Sequence, residues 1–95
     1  MTDNRVSFTR PFKRDFKREK SGLHGKTLDK PIDECVVNLL AKQDLPARYR
    51  DHPLKGDRQD CRECLLKPDL LLVYRQHRDG NLELVRLGSH SELFG

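Results

Sequence analysis

Four side chains in this sequence are of the types that cleave a phosphodiester bond: His52, Asp69, Arg86 and His90. Cutting RNA by attack of a ribose 2′-hydroxyl needs a base that takes its proton, an acid that protonates the leaving 5′-oxygen, and fixed positive charge at phosphorus. Histidine suits both proton transfers because it titrates near neutral pH, and arginine can hold a phosphate with two parallel hydrogen bonds. Histidines are common in basic domains, however, so these residues alone leave a solvated, non-catalytic role open for each of them.

The chain ends in RLGSHSELFG, which contains two of the four residues. Ser89 followed by Glu92 is the S-x-x-E capping box that begins a helix, so His90 is predicted to be the first helical residue. The free N–H groups of a helix start attract phosphate. Phe94 is expected on the same face as His90, where its ring could stack a base. The alternative is that Leu93 and Phe94 pin a terminal turn to the core.

The elements that would position these residues begin with a strand and a helix. Val6 and Phe8 alternate with polar residues, which predicts a short strand. Thr9 then suits the N-cap of a helix with Pro11 in its first turn, where a missing N–H is harmless. The exposed faces of this helix carry many Lys and Arg side chains, which we interpret as solvated, with phosphate contact as the lesser alternative.

A second helix is predicted from about Leu28 to Lys42, because apolar residues recur there at helical spacing. Gly22 and Gly25 interrupt the chain between the two helices. His24, which lies in this connection, is predicted to be a surface residue rather than a catalyst.

The rest of the chain predicts a loop followed by three strands. Residues 43 to 60 have no periodicity and form the loop, which is basic through Arg48, Arg50, Lys55 and Arg58. The strands are expected within 60–67, 70–77 and 81–88, with turns at Pro68 and Gly80. The order β-α-α-β-β-β indicates an α+β domain, a small antiparallel sheet with two helices packed on one face. The four candidate residues could then meet on the face away from the helices.

Composition limits the class of protein. A chain of 95 residues is expected to form one domain, residues 1–95. Its net charge of +4 suggests a polyanionic partner. The apolar runs are too short to cross a bilayer, and MTDNRVSFTR has no apolar signal region, so a cytoplasmic protein is expected. Three cysteines argue against a disulfide framework. In CREC, alternation along a strand favours free thiols over a zinc site.

Several motifs extend the interpretation beyond residue chemistry. YRDHPLKG, KPD, LVYR and RLGSHSELFG together resemble the YafQ branch of the RelE/ParE superfamily of bacterial toxins. The similarity is close from about Leu45 to Gly95, and the N-terminal half agrees in its strand-helix-helix pattern. DHPL and G-x-H-x-x-L-F, in this order, are specific for that branch. The resemblance implies a RelE-like fold and a ribonuclease that enters the ribosomal decoding site and cuts translated messenger RNA without a metal or other cofactor.

The resemblance also implies partners and residue roles. The partners are a cognate antitoxin, usually encoded beside the toxin, and the 70S ribosome with its message. Operator DNA would be bound only through the antitoxin, and no membrane is involved. Matched by motif, the chain carries two active-site histidines, an acidic residue, a phosphate-contacting arginine and a terminal aromatic: His52 and His90, Asp69, Arg86 and Phe94. Two further cations are assigned to substrate binding, Lys55 and Arg62.

Two positions depart from the family pattern. Toxins of this branch can carry a further active-site histidine where this chain has Leu65, and an aromatic residue where it has Leu70. Leucine cannot transfer a proton, so we expect the chain to cleave RNA slowly or not measurably. The alternative is a catalytically inactive homologue that binds the antitoxin and acts only as a co-repressor of their operon. A gyrase poison of the ParE type shares the implied fold but lacks the terminal histidine motif.

Overall fold

The structure is a computed structural model that describes residues 4–56 and 60–95. Arg58, which the sequence placed in the basic loop, lies outside the described residues. In chain order the strands and helices are β1 Val6–Phe8, α1 Arg10–Lys20, α2 Asp29–Leu40, β2 His52–Pro53, β3 Arg62–Lys67, β4 Leu70–Gln76, β5 Leu82–Gly88 and α3 His90–Phe94. Single 3-10 turns lie at Gly25–Thr27 and Ala47–Tyr49.

The strands form one sheet in the order β1-β5-β4-β3-β2. β3, β4 and β5 are antiparallel neighbours, as the predicted turns require. β1 instead runs parallel to β5, with Val6 opposite Leu82 and Phe8 opposite Leu84. The α+β class with helices on one face is therefore confirmed, and the sheet is mixed rather than wholly antiparallel. The direction of β1 is set by its pairing with β5 at the sheet edge, and a three-residue strand carries no local signal of it.

The helices form and pack for the reasons the sequence suggested. The Thr9 hydroxyl accepts a hydrogen bond from the Phe12 amide at 3.0 Å, which caps α1. The Phe12 ring is buried, and its centroid lies 5.5 Å from that of Phe8 and 6.0 Å from that of Phe16. The apolar stripe of α2 enters the same core. On the sheet side this core is completed by residues of β3, β4 and β5, so α1 and α2 cover one face of the sheet.

The segment predicted as a loop contains two short elements. Tyr49 ends a 3-10 turn, is buried, and contacts the Glu34 carboxylate of α2 through its hydroxyl. The two-residue strand β2 then pairs antiparallel with β3, with His52 opposite Glu63. A strand of this length shows no periodicity in sequence. Its pairing instead depends on how the loop is anchored.

A smaller apolar cluster lies on the opposite face of the sheet. Cys61, Val73 and Val85 form it, with Leu54 and Leu93 packed against them. Cys64 belongs to the main core, so the two cysteines of CREC point to opposite faces, as predicted, and both are free thiols. None of the helices in the described ranges is long and apolar enough to cross a membrane.

Candidate active site

A cleft of about 520 Å³ opens on the sheet face away from α1 and α2. Its lining in the described part of the chain is Glu63, Leu65, Pro68, Asp69, Leu71, Ser89, His90 and Ser91. The sheet residues of this lining alternate along β3 and β4 with the buried residues of the main core. The cleft thus brings together three predicted site residues from three parts of the chain: β3, the turn after it, and the start of α3.

The start of α3 places His90 at the cleft. The Ser89 hydroxyl accepts from the Glu92 amide at 3.2 Å, and the Glu92 carboxylate accepts from the Ser89 amide at 2.8 Å, which is the predicted capping box. The hydrogen bonds from Ser89 hold the pKa of Glu92 below its usual value. Leu93 anchors the helix to the smaller cluster. Phe94 remains 40% exposed, and its ring meets the His90 ring edge-on at 5.3 Å.

His52 lies at the border of the cleft, across the β2–β3 pair from Glu63. Its Nδ1 is 2.7 Å from the Arg50 carbonyl oxygen. Because a carbonyl only accepts, we assign the ring hydrogen to Nδ1, and in the neutral imidazole Nε2 is left as an acceptor. Nε2 lies 3.9 Å from the nearer Glu63 carboxylate oxygen. The geometry therefore leaves Nε2 of His52 as a hydrogen-bond acceptor at the edge of the cleft.

The loop that carries His52 is held by its neighbour Asp51. The Asp51 carboxylate accepts from the hydroxyl of the fully buried Tyr74 and from Nε of Arg62, the latter at 3.2 Å. Burial and the hydrogen bond to Asp51 raise the pKa of Tyr74 above its usual value. Arg62, which the sequence assigned to substrate, thus holds the loop in place. Asp51 and Tyr74 were not predicted as site residues, although both lie inside the quoted motifs.

Arg86 contacts a carboxylate that sequence reasoning missed. Its Nε and Nη2 donate to Asp15 of α1 at 2.6 and 3.3 Å. Asp15 is fully buried and also accepts from Nη1 of Arg18 at 3.1 Å and from the Leu87 amide at 3.0 Å. Burial alone would raise the pKa of Asp15, but hydrogen bonds from Arg86 and Leu87 and the two guanidinium charges outweigh it, so the pKa is lowered. Arg86 is outside the cleft lining, and a phosphate would share it with Asp15.

The predicted residues Lys55, Arg62 and Phe94, and the unpredicted contact of His24, lie around the cleft. Lys55 is exposed and follows His52 by three positions. Lys55, Arg62 and Phe94 are, like Arg86, outside the cleft lining in the described ranges. His24 was predicted to be a surface residue, yet its Nε2 lies 3.0 Å from the Asp69 carboxylate. Spacing along the chain gives no signal of this contact.

A second hollow, of about 430 Å³, lies between α2 and β3. Its lining is Lys30, Pro31, Glu34, Arg48, Tyr49, Leu65, Leu66, Lys67 and Pro68. It shares Leu65 and Pro68 with the first cleft but contains neither of the two histidines nor Asp69, so we place the candidate site in the first cleft. Within residues 4–56 and 60–95, no three His, Cys, Asp or Glu side chains cluster in a way that could hold a metal ion.

Comparison with known proteins identifies the family. A model of the YafQ toxins, which are bacterial toxins of type II toxin-antitoxin systems, matches residues 4–95 of this chain. The chain belongs to the YafQ toxin family. A Haemophilus influenzae protein that carries the YafQ name is 34% identical over 95 residues, covering 93% of the chain and 89% of that relative. The Escherichia coli K12 mRNA interferase toxin YafQ is 43% identical over 51 residues, which is 54% of each protein, so this match spans about half of its length.

Solved structures show the same fold. A metal-bound toxin from Helicobacter pylori is 46% identical and has a TM-score of 0.81, covering 94% of this chain and 97% of that one. The YafQ chain of the Escherichia coli DinJ-YafQ complex is 28% identical with a TM-score of 0.78, covering 95% and 97%. These similarities confirm the predicted RelE-like α+β fold. The family model agrees with the predicted membership in a family of type II toxin-antitoxin toxins.

Proposed function

We propose that this YafQ family member is an mRNA interferase, an endoribonuclease that enters the ribosomal decoding site and cuts the message being translated. The observation that carries this proposal is the cleft in which Asp69 and His90 meet, with the Nε2 acceptor of His52 at its border. The name mRNA interferase toxin, given to the Escherichia coli relative, supports the same activity. The protein would act in the cytoplasm, where ribosomes translate.

The proposed reaction uses side chains and the RNA itself. His52 takes the proton of the ribose 2′-hydroxyl through Nε2, and the 2′-oxygen attacks phosphorus. The bond from phosphorus to the 5′-oxygen breaks, and His90 supplies the proton that this oxygen needs. The products are a 2′,3′-cyclic phosphate and a free 5′-hydroxyl. Arg86 supplies fixed positive charge for the anionic transition state, while Asp69 orients groups in the cleft and Phe94 offers a face to a base.

Leu65 is expected to make this reaction slow. It lines the same cleft as Asp69 and His90, where it supplies bulk but neither a donor nor an acceptor. General acid–base catalysis raises a reaction rate by about 10²- to 10⁴-fold, so a histidine at position 65 should increase the cleavage rate measurably. We therefore expect Leu65→His to raise cleavage by at least about tenfold.

The test uses purified ribosomes programmed with a defined message, with cuts mapped to the nucleotide. The Leu65→His variant should cut inside the codon in the decoding site, and the parent chain should cut there more slowly or not measurably. Absence of cuts from both proteins, at concentrations where both bind the ribosome, would refute the ribonuclease function. Full-speed cleavage by the chain as given, unchanged by the substitution, would remove position 65 from the mechanism.

The proposed partners are a cognate antitoxin and the translating ribosome. YafQ of Escherichia coli has been crystallised in a complex named DinJ-YafQ, which supports an antitoxin partner here. A chain of net charge +4 suits an acidic segment that folds as it wraps the toxin. Operator DNA would be reached through the antitoxin.

A second candidate function is that of a non-cleaving antitoxin partner and operon co-repressor. Two observations favour it: Leu65 occupies the cleft, and the charge of Arg86 is already matched by Asp15. Tight antitoxin binding and operator binding by the complex, together with no cleavage by the chain as given, would support this candidate. Cuts in the decoding site by the chain as given would exclude it.

A further inference from the structure

We propose that His24 is a positioning residue of the active site, which holds the Asp69 carboxylate at the cleft. The proposal rests on the ribonuclease function described above. Nε2 of His24 lies 3.0 Å from Oδ1 of Asp69, although His24 belongs to the connection between α1 and α2. The contact thus joins the N-terminal half of the chain to a turn that lines the cleft.

The connection that carries His24 is tightly built. Gly25 is buried, and a Cβ at this position would lie 2.1 Å from the Lys20 carbonyl oxygen, so the chain can fold back on α1 only with glycine here. The Lys20 ammonium spans the connection, since it donates to the Gly25 carbonyl at 3.2 Å and to Asp29 at 3.0 Å. Lys20, which precedes His24, thus bonds to residues that follow it and closes the connection around His24.

The same connection is tied to the end of β3, directly before the turn that carries Asp69. The Lys67 ammonium donates to the Thr27 hydroxyl at 2.6 Å. The Thr27 amide in turn donates to the His24 carbonyl at 3.1 Å. The neighbouring residue Leu23 is 94% exposed, whereas the His24 side chain is only 21% exposed. The fold thus turns His24, and not its neighbour, toward Asp69.

The contact matters because, within residues 4–56 and 60–95, His24 supplies the polar contact that the Asp69 carboxylate makes. The Asp69 side chain is 66% exposed and sits in the two-residue turn between β3 and β4. The contact of His24 Nε2 with Oδ1, at 3.0 Å, restrains the Asp69 carboxylate and leaves Oδ2 available to groups in the cleft. With leucine at position 65, fewer polar groups line this cleft, so the orientation of Asp69 has more effect on the rate. Exposed pairs of this kind add little to folding stability, so the effect should be on catalysis.

The test compares three single variants on programmed ribosomes. His24→Ala removes the donor, whereas His24→Gln keeps an N–H donor at a similar reach. His77→Ala is the matched control, because His77 makes a similar contact, 3.3 Å to Glu83, at the far hairpin between β4 and β5. Each substitution is measured in two parents, the unsubstituted chain and its Leu65→His variant, so that slow cleavage by the first does not hide the effect.

The expected result is a loss in kcat that the amide restores. His24→Ala should lower kcat by about tenfold, which is about 1.4 kcal/mol, with KM within about twofold of the parent. His24→Gln should stay within about threefold of the parent, and His77→Ala should equal it. All three should keep the parent's urea midpoint. Parent kcat in His24→Ala, or an equal loss in His24→Gln, overturns the positioning role.

A second measurement does not depend on cleavage. The imidazole ¹⁵N signals of His24 should report hydrogen on Nε2, and Asp69→Asn should change them while leaving those of His77 unchanged. If the substitution has no effect on His24 while the ribosome assay still shows cleavage, only the positioning role is overturned. If neither parent cleaves, the ribonuclease function fails and the positioning role fails with it.

Discussion

Replacing Asp15 by alanine should be among the most destabilising single changes in this protein. The Asp15 carboxylate is fully buried and accepts four hydrogen bonds, two from Arg86, one from Arg18 and one from the Leu87 amide. These bonds join α1 to β5, and Arg18 continues the connection to Glu92 of α3 at 3.3 Å. Removing the carboxylate leaves two guanidinium groups and an amide without this acceptor.

The magnitude follows from the burial of the partners. Removing one member of a buried ion pair costs about 3–5 kcal/mol. Because the side chains of Arg86 and Arg18 are 18% and 39% exposed, water can reach them, and we expect the lower end, about 3 kcal/mol. In a domain of this size each kcal/mol lowers Tm by about 4–8 °C, so the expected decrease is about 12–24 °C.

Urea unfolding of the parent, Asp15→Ala and a control checks this value. Asp29→Ala is the control, because Asp29 makes one 3.0 Å pair with Lys20 while its side chain is 62% exposed, and it should cost no more than about 1 kcal/mol. A loss of less than about 1 kcal/mol in Asp15→Ala, with an unchanged slope against urea, would refute the assignment of this network as a stabilising one.

The same carboxylate predicts a pH dependence of stability. The pKa of Asp15 is lowered in the folded state. Its contribution to the free energy of unfolding is therefore complete above the unfolded value, about 3.9, and is lost as pH falls through the lower folded value. The parent should lose stability below about pH 4, and Asp15→Asn should lose less over that range. Parallel stability curves for the two proteins would contradict this.

Three further expectations concern the site. His52→Ala or His90→Ala should lower cleavage on programmed ribosomes by about 10²-fold or more with an unchanged urea midpoint, while His77→Ala stays at the parent rate; parent rates in both variants would remove these histidines from the mechanism. Ser89→Ala should cost α3 about 1 kcal/mol and speed hydrogen exchange of the Glu92 amide. Because hydrogen bonding lowers the pKa of Glu92, the cap of the parent is complete above the usual carboxyl pKa and is lost as pH falls through the lowered pKa. Amide exchange that changes neither with the substitution nor with pH over this range would count against the cap. Ribosome affinity should fall steeply with added salt, since contacts with a polyanion release counterions; affinity that is constant across a salt titration would exclude a mainly electrostatic contact.

Short-range patterns were sufficient to predict most of the elements. The capped start of α1, the apolar stripe of α2, the hairpin at Gly80 with its φ of +92° and the capping box of α3 were all predicted and are all present. Each of these features depends on interactions between residues a few positions apart, which need no contact with distant parts of the chain. The motifs likewise pointed to His52 and His90, because their neighbours in the chain belong to recognisable patterns.

Contacts between distant parts of the chain were decided by packing. The parallel direction of β1, the pairing of β2 with β3, the Asp15–Arg86 bond and the His24–Asp69 contact each join segments that are far apart in sequence. An aspartate in a basic helix looks like one more solvated charge, and a histidine between two glycines looks like part of a turn. Their neighbours are set by which faces of the helices and sheet bury their apolar side chains, and no spacing along the chain records that choice.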